Sequence, residues 1–183
     1  LDNGNKWGLK IEYICQPKPE GIAQAMLLGE EFLNKSPSVL ILGDNLFYGN
    51  ELTYLLKKAN NFSEGATIFV YPVSEPNRYG IVNFDKNKKA ISIEEKPKNP
   101  KSNYAVVGLY FYPNRVIQIA KNTKPSKRGE LEITSVNNSF LEEKKLIVEL
   151  FDKNFTWLDS GTHESMLEAS NYIHKIEKRT GLK

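Results

Sequence analysis

The chain has 183 residues, of which 40% are apolar and 26% are charged, and this ordinary globular composition excludes an intrinsically disordered protein. Lysines and arginines number 25 against 22 acidic residues, and the net charge of +3 is too small to indicate nucleic-acid or membrane binding. Cys15 is the single cysteine, so no internal disulfide can form and a reducing cytoplasm is the expected location. The length predicts one domain.

The start of the chain carries neither an initiator methionine nor the basic and apolar segments of a signal peptide. Residues 1–4 form a turn-rich sequence with no element before them, so we expect the chain to be a fragment of a longer protein. Its apolar runs fall well short of the ~18 residues that a membrane span needs. We therefore expect no membrane partner.

Strands and helices alternate in the first part of the chain. Polar and apolar residues alternate over 10–16, which predicts a strand that Pro17 and Pro19 end, and helical spacing predicts a helix over 22–33. Residues 38–42 are mainly apolar, which is typical of a strand covered on both faces. A helix over 50–60 and an apolar strand over 66–71 follow.

The second part of the chain begins with predicted strands over 79–84, 90–95 and 104–112, and the polar residues 85–89 predict a hairpin turn between the first two. The remaining predicted elements are helices over 115–121 and 133–142 and strands over 146–150 and 155–158. Thr162 is the predicted N-cap of a last helix with the buried stripe Met166, Ala169, Ile173 and Ile176. This order predicts an α/β chain with parallel-type βα units and an inserted β-hairpin.

Two acidic residues follow predicted strands directly, at the sheet edge where ligands bind in such folds. Asp44 comes after the strand over 38–42, and Asp159 comes after the strand over 155–158. Each suits a turn, since Asp-Asn and Asp-Ser-Gly are common turn sequences. The alternative is that both carboxylates converge on one Mg²⁺, which proteins usually hold with one or two carboxylates plus substrate phosphates.

Three loops carry further candidates. Gln16 precedes a stiff, proline-containing segment that ends at Gly21, and its amide could pair with a base edge, although a plain strand-to-helix turn is equally consistent. Lys96 follows Glu94 and Glu95, and Arg128 lies in the sequence Lys-Arg-Gly-Glu. Both cations could be ordinary surface charges or could bind a phosphate.

Seven motifs, taken together in their order, resemble the glucose-1-phosphate thymidylyltransferases, a family of sugar-nucleotide nucleotidyltransferases. The motifs lie at residues 16–25, 42–49, 78–82, 94–97, 102–112, 128–134 and 157–162, and they cover almost the whole chain. The resemblance implies a Rossmann-like doubly wound mixed sheet of the nucleotide-diphospho-sugar transferase type and a single nucleotidyltransferase domain over 1–183. It also implies that dTTP and α-D-glucose 1-phosphate are joined to give dTDP-glucose and pyrophosphate.

The resemblance also assigns roles to individual residues. Gln16 and Gly21 are expected to contact the thymine, and Asp44 and Asp159 to hold Mg²⁺, with Asp44 also counted among the substrate-binding residues. The residues expected around the glucosyl phosphate are Tyr79, Gly80, Glu95, Lys96 and Val106, with Arg128 nearby, and Lys96 and Arg128 are the expected catalytic cations. The family further implies a homo-oligomer, a tetramer, in the cytoplasm, and a product used for deoxysugars such as dTDP-rhamnose.

The sequence lacks one feature of the family pattern. In the family, a glycine-rich loop of the form G-x-G-T-R, together with a downstream lysine, wraps the triphosphate, and this sequence contains no such loop. The resemblance also implies that the family's C-terminal helices are cut short after Lys183, so we expect the domain to be incomplete at both ends and inactive by itself. Two alternatives stay open: a uridylyl or cytidylyl transferase, and a non-catalytic nucleotide-sugar-binding module of the same fold.

Overall fold

The computed structural model describes residues 1–62, 64–152 and 154–181. The first elements after a 3₁₀ turn at Asn5–Trp7 are α1 (Gln24–Leu28), α2 (Glu30–Leu33), β1 (Ser38–Ile41), β2 (Asn45–Tyr48), α3 (Leu52–Asn60) and β3 (Ala66–Pro72). A second 3₁₀ turn, Pro76–Arg78, leads to β4 (Gly80–Phe84), β5 (Ala90–Glu95), β6 (Tyr104–Tyr112), α4 (Val116–Asn122) and α5 (Ile133–Glu142). The chain then forms β7 (Leu146–Leu150), β8 (Thr156–Asp159) and α6 (His163–Thr180).

The main sheet has six strands and is built around the long strand β6. Along one side β6 pairs antiparallel with β3, and along the other it pairs with β4 near its start and with β1 near its end. β5 extends the β4 side and β7 the β3 side, which gives the order β5-β4-β6-β3-β7. β3 and β7 are parallel whereas the other ladders are antiparallel. The mixed α/β sheet and its inserted hairpin are confirmed, but parallel βα units are fewer than predicted.

Both faces of the central strands are covered, which explains their continuous apolar sequences. On one face Ile68 and Val70 of β3 pack with Val106 of β6 and with Val136 and Phe140 of α5. On the other, Phe69 packs with Val107, Leu109 and residues of the β2–β8 region. This second layer carries the loops that follow β1 and β8.

β2 and β8 form a separate two-stranded antiparallel ribbon in which Asn45 lies opposite Asp159. The sequence pattern does not predict β2, because residues 43–45 are typical of a turn. The pairing joins segments far apart in the sequence, which local periodicity cannot indicate. It is this ribbon that brings the two candidate acids to one place.

Three predicted elements differ in the structure. Residues 10–16 form no strand, because no described segment pairs with them, and alternation alone does not make a ladder. The helix over 22–33 is divided into α1 and α2 at Gly29. β1 is covered on one face only, since Val39 and Ile41 on its other face are 46% and 59% exposed. Its second edge also has no ladder partner among the described residues.

The last helix begins as predicted, with the Thr162 hydroxyl accepting a hydrogen bond from the Ser165 amide at 3.1 Å. Its predicted buried stripe is only partly correct, since Ala169 is buried but Met166 and Ile173 are exposed. Across the described residues, we find no helix with the length and apolar character that crossing a membrane would need.

Candidate active site

The carboxylates of Asp44 and Asp159 lie on the two sides of Gly161. One oxygen of each, Oδ2 of Asp44 and Oδ1 of Asp159, is 3.0 Å from the position that a Cβ on Gly161 would occupy. The two oxygens are therefore separated by no more than twice that distance. The structure therefore brings the two predicted metal ligands close together, and the absence of a Cβ at Gly161 leaves room beside both carboxylates.

Backbone hydrogen bonds hold the two acidic loops together. The Ser160 amide and hydroxyl both donate to the backbone carbonyl of Asp44 at 2.8 Å, and the Gly161 amide donates to Oδ1 of Asp159 at 2.9 Å. These bonds continue the β2–β8 pairing beyond the strands. As a result, the loop after β1 and the loop after β8 behave as one structural unit.

This donor set fits a hard divalent cation such as Mg²⁺. Two carboxylates with open space between them match the few protein ligands that Mg²⁺ takes when water and substrate phosphates complete its shell. Within the described part of the chain, no group of three or more metal-ligating side chains comes together. The pair therefore suits a metal that the substrate helps to bind and does not suit a closed structural metal site.

A second cluster surrounds Gly80, at the start of β4. A Cβ on Gly80 would lie 3.0 Å from the Thr134 hydroxyl, 3.3 Å from Glu95 Oε2 and 4.0 Å from a methyl of Val106. Thr134 donates to Glu95 Oε2 at 2.5 Å. Burial raises the pKa of Glu95, while the Thr134 hydrogen bond opposes that rise and the charge of nearby Glu132 adds to it. The structure thus brings three of the predicted sugar-site residues to one point.

The predicted cations flank this cluster. Arg128 Nη1 is 3.6 Å from Glu95 Oε1, and its Nη2 is 2.5 Å from Glu130. Lys96 adopts a left-handed backbone conformation, with φ of 43°, and its amide donates to the Tyr79 carbonyl at 3.0 Å. Both side chains are exposed, so both cations remain accessible to an anionic ligand.

Two tyrosines near these clusters, Tyr79 and Tyr110, have raised pKa values. Burial raises the pKa of Tyr79 and the charge of Asp159 adds to this, and the Tyr79 ring packs edge-on against Trp157 with centroids 5.3 Å apart. Burial also raises the pKa of Tyr110, with further contributions from Glu95 and Asp44. Tyr79 shares a groove with Asp159 and directly precedes Gly80 of the Glu95 cluster.

The loop predicted to bind a base lies against the Arg128 segment. Gln16 Nε2 donates to Gln24 Oε1 and, at 3.5 Å, to the Gly21 carbonyl. Gly21 has φ of 107°, and a Cβ there would lie 2.6 Å from the Leu131 nitrogen. The Leu131 amide donates to the Glu20 carbonyl at 2.7 Å. Gln16 and Gly21 thus join the Arg128 side, and no described hydrogen bond links Gln16 to either aspartate.

A larger cavity lies elsewhere. It measures about 720 Å³ between the β4–β5 hairpin and the end of α5, and it contains none of the predicted site residues. A smaller groove of about 300 Å³ is lined by Asp159, Tyr79 and Trp157. Because the smaller groove is lined by Asp159, one member of the acidic pair, and by Tyr79, it is the better candidate for chemistry.

Three residues of this region receive no role from the sequence alone, namely Gln24, Asn45 and Thr134. Each bonds directly to a predicted site residue: Gln24 to Gln16, Asn45 to Asp44 and Thr134 to Glu95. All three lie inside the motifs described above. Membership of those motifs was the available signal, but the contacts themselves depend on the tertiary fold.

Comparisons with known proteins agree with this geometry. A model of the nucleotidyl transferase family (NTP_transferase) matches residues 1–176. A glucose-1-phosphate thymidylyltransferase of Neisseria meningitidis is 49% identical over 97% of this chain, and one of Mycolicibacterium smegmatis is 49% identical over the whole chain. The chain spans 62% and 63% of the length of these two curated relatives.

Solved structures show the same likeness. A Bacillus anthracis protein described as a glucose-1-phosphate thymidylyltransferase superposes with a TM-score of 0.82 and 42% identity, over 93% of this chain and 68% of its own. A UDP-glucose pyrophosphorylase in complex with UDP-glucose superposes with a TM-score of 0.77 and 26% identity, over 90% of this chain and 66% of its own. The sheet and the loops at its edge are therefore a shared scaffold.

Proposed function

This chain belongs to the nucleotidyl transferase family, and we propose from this premise that the protein is an enzyme that joins dTTP and α-D-glucose 1-phosphate to give dTDP-glucose and pyrophosphate. One observation carries the proposal: the carboxylates of Asp44 and Asp159 both lie beside Gly161, and Asp159 shares a groove with Tyr79, which directly precedes Gly80 of the Glu95 cluster. The names of the relatives support the choice of nucleotide and sugar.

The reaction needs no protein nucleophile. An oxygen of the sugar phosphate attacks the α-phosphorus of dTTP in line with the leaving group, one P–O bond forms, and the bond to pyrophosphate breaks. The role of the protein is to position the two anions and to offset the charge that develops. Asp44 and Asp159 would hold Mg²⁺, which when bound offsets phosphate charge.

The remaining residues divide between sugar and phosphate. The carboxylate of Glu95 accepts hydrogen bonds from glucose hydroxyls, while Gly80 and Val106 provide a close backbone and an apolar wall, and Tyr79 closes the side toward Asp159. Lys96 and Arg128 bind the sugar phosphate and stabilise the transition state as the catalytic cations. Because Arg128 also faces Glu95, the same cation links the sugar and phosphate positions.

The nucleotide base is assigned to the loop of Gln16 and Gly21. In the described structure Gln16 Nε2 contacts protein acceptors, so its carbonyl is the group available to the base. The left-handed Gly21 brings this loop against Leu131. Base and sugar phosphate are therefore bound by two loops that contact each other.

The proposal extends to the protein's setting. We infer a single nucleotidyltransferase domain, Mg²⁺ dependence, a homotetramer, a cytoplasmic location and a product used for deoxysugars such as dTDP-rhamnose. The exposed free thiol of Cys15 is compatible with a reducing compartment. Nucleic acids and membranes are not expected partners.

A uridylyl transferase is the second candidate, because the UDP-glucose pyrophosphorylase fold is nearly as similar as that of the Bacillus anthracis protein. Release of pyrophosphate from dTTP, UTP and CTP, measured in parallel with glucose 1-phosphate on the longest natural chain that contains these residues, decides between them. We expect the highest kcat/KM with dTTP. A preference for UTP contradicts the proposed specificity, and no release with any nucleotide favours a non-catalytic binding module.

A further inference from the structure

Asn45 lies between the acidic pair and the central sheet. It is half-buried at the start of β2, opposite Asp159 in the ribbon. Its Nδ2 donates to Oδ1 of Asp44 at 2.7 Å. Its Oδ1 accepts from the Gly108 amide at 2.9 Å and from the Trp157 indole nitrogen at 2.7 Å. One amide thus connects β6, β8 and the loop after β1.

The orientation of this amide is determined by its partners. The Gly108 amide and the Trp157 indole can only donate, so they must face the carbonyl oxygen of Asn45, and the NH₂ group then faces Asp44. The approach to β6 is close, because a Cβ on Gly108 would lie 2.7 Å from Asn45 Oδ1. The sheet therefore fixes the amide, and the amide in turn contacts an aspartate that is itself exposed to solvent.

We propose that Asn45 is a positioning residue that holds the Asp44 carboxylate toward Asp159, so that the pair can bind a divalent cation. The Nδ2 bond occupies Oδ1 of Asp44, and the other oxygen, Oδ2, is the one that lies beside Gly161 facing Asp159. Without this bond, the exposed carboxylate would rotate between several rotamers. The inference rests on the proposed function, in which Asp44 is a metal ligand.

The test measures binding of Mn²⁺ to the whole protein with dTTP present, by electron paramagnetic resonance. Partners that orient metal ligands typically contribute about 10–100-fold to affinity, so Asn45→Ala is expected to weaken Mn²⁺ binding about tenfold. Asn137→Ala is the matched control. This change removes a buried hydrogen bond that Tyr112 donates to Asn137. Tyr112 lies far from Asp44, because its ladder partner Ser38 is at the opposite end of β1. We therefore expect the Mn²⁺ affinity to stay within about twofold of wild type, well below the effect of a lost orienting partner.

Asn45→Asp separates positioning from a purely structural role. Aspartate retains an acceptor for Gly108 and Trp157, but it replaces the donor to Asp44 with a carboxylate oxygen, so the contact with the central sheet is kept while the contact with Asp44 becomes repulsive. We expect its kcat for pyrophosphate release to remain at the Asn45→Ala level, with KM for glucose 1-phosphate little changed. Recovery of kcat in Asn45→Asp, or wild-type Mn²⁺ affinity in Asn45→Ala, overturns the inference.

Asp44→Asn, measured in the same way, distinguishes two kinds of failure. If Asp44→Asn loses Mn²⁺ binding and Asn45→Ala retains it, only the role of Asn45 is wrong. If both variants bind Mn²⁺ as the wild type does, the metal role of Asp44 in the proposed function is wrong, and the inference about Asn45 is overturned with it.

Discussion

Asp159 tests the residue-scale chemistry most directly, because asparagine can replace it without loss of size. An amide oxygen still accepts the hydrogen bond from Gly161, so the loop should keep its conformation. The negative charge that a cation needs is removed, and pyrophosphate release in the whole enzyme should fall by at least about 100-fold, the upper range for disturbed metal sites.

Asp152 offers a matched control for this change. Its Oδ1 accepts from the Asn154 amide at 2.8 Å, the same contact two residues along the chain that Asp159 makes with Gly161. Asp152→Asn should therefore leave turnover unchanged. Near-normal activity of Asp159→Asn at low Mg²⁺ would contradict the metal role.

Glu95 couples binding to stability through its raised pKa. Burial favours the neutral acid, so the folded protein holds this proton more tightly than the unfolded chain does. The stabilising contribution is complete below the unfolded pKa and is lost as the pH rises through the raised folded pKa. Glu95→Gln should therefore increase the free energy of unfolding, relative to wild type, more at neutral pH than at acidic pH, while it lowers glucose 1-phosphate binding.

The check is urea unfolding of both proteins across this pH range. Thr134→Val provides an internal control, because loss of the Thr134 hydrogen bond removes an influence that lowers the Glu95 pKa. The pH at which stability declines should then move upward. A pH-independent difference between Glu95→Gln and wild type would show that Glu95 is not perturbed in this way.

Gln16 is expected to bind the base without selecting it, since thymine and uracil present the same carbonyl and N–H groups to an amide. Gln16→Ala should weaken the binding of dTTP and of UTP by a similar amount. The expected loss of binding free energy is on the order of 1–3 kcal/mol, as for a lost buried hydrogen-bond partner. Isothermal titration with each nucleotide measures this. Loss of dTTP binding alone would refute the assignment and would place base selection at Gln16.

At the scale of elements, the contact between two loops depends on Gly21. Its φ of 107° strains any other residue, and a Cβ would collide with the Leu131 backbone. Gly21→Ala should lower the free energy of unfolding by about 1–3 kcal/mol. Because the change separates the loops, it should also weaken the binding of both the nucleotide and the sugar phosphate. Gly43→Ala is the control, because a Cβ at Gly43 meets nothing within 4 Å; equal melting temperatures of the two variants would contradict this account.

The elements also show which features the sequence could predict. The β4–β5 hairpin was predictable because its signal is local, with Asp85 accepting from the Asn87 and Lys89 amides within one turn. The β2–β8 ribbon was not, because its strands are short and their pairing spans most of the chain. The acids could still be placed together, since each follows an apolar strand.

The whole molecule explains the remaining differences. An apolar alternation predicts a face and not a ladder partner, so the strand predicted over 10–16 has no partner among the described residues. A mainly apolar run likewise does not show what covers it, and β1 leaves Val39 and Ile41 largely exposed. The contacts of Asn45 and Thr134 likewise depend on how distant segments meet. Motif order predicts which residues belong to the candidate site, but only the fold shows which of them contact one another.

One edge of β1 has no partner among the residues that the structure describes, and this leads to a prediction for residues 1–183 expressed alone. β1 pairs with β6 on one side, and Val39 and Ile41 expose 46% and 59% of their surface on this strand. An edge that presents open backbone groups and apolar side chains favours pairing with another chain. We therefore expect concentration-dependent association in light scattering. We also expect no dTDP-glucose synthesis by these residues alone, because the sequence lacks the glycine-rich loop that wraps the triphosphate in the family.

Val39→Lys or Ile41→Lys should reduce the association, because charge at an edge opposes strand pairing. Ile91→Lys controls for the added charge, because Ile91 on β5 is also 59% exposed, and this change should have a smaller effect on association. A monomer at all concentrations would show that the edge of β1 does not drive association.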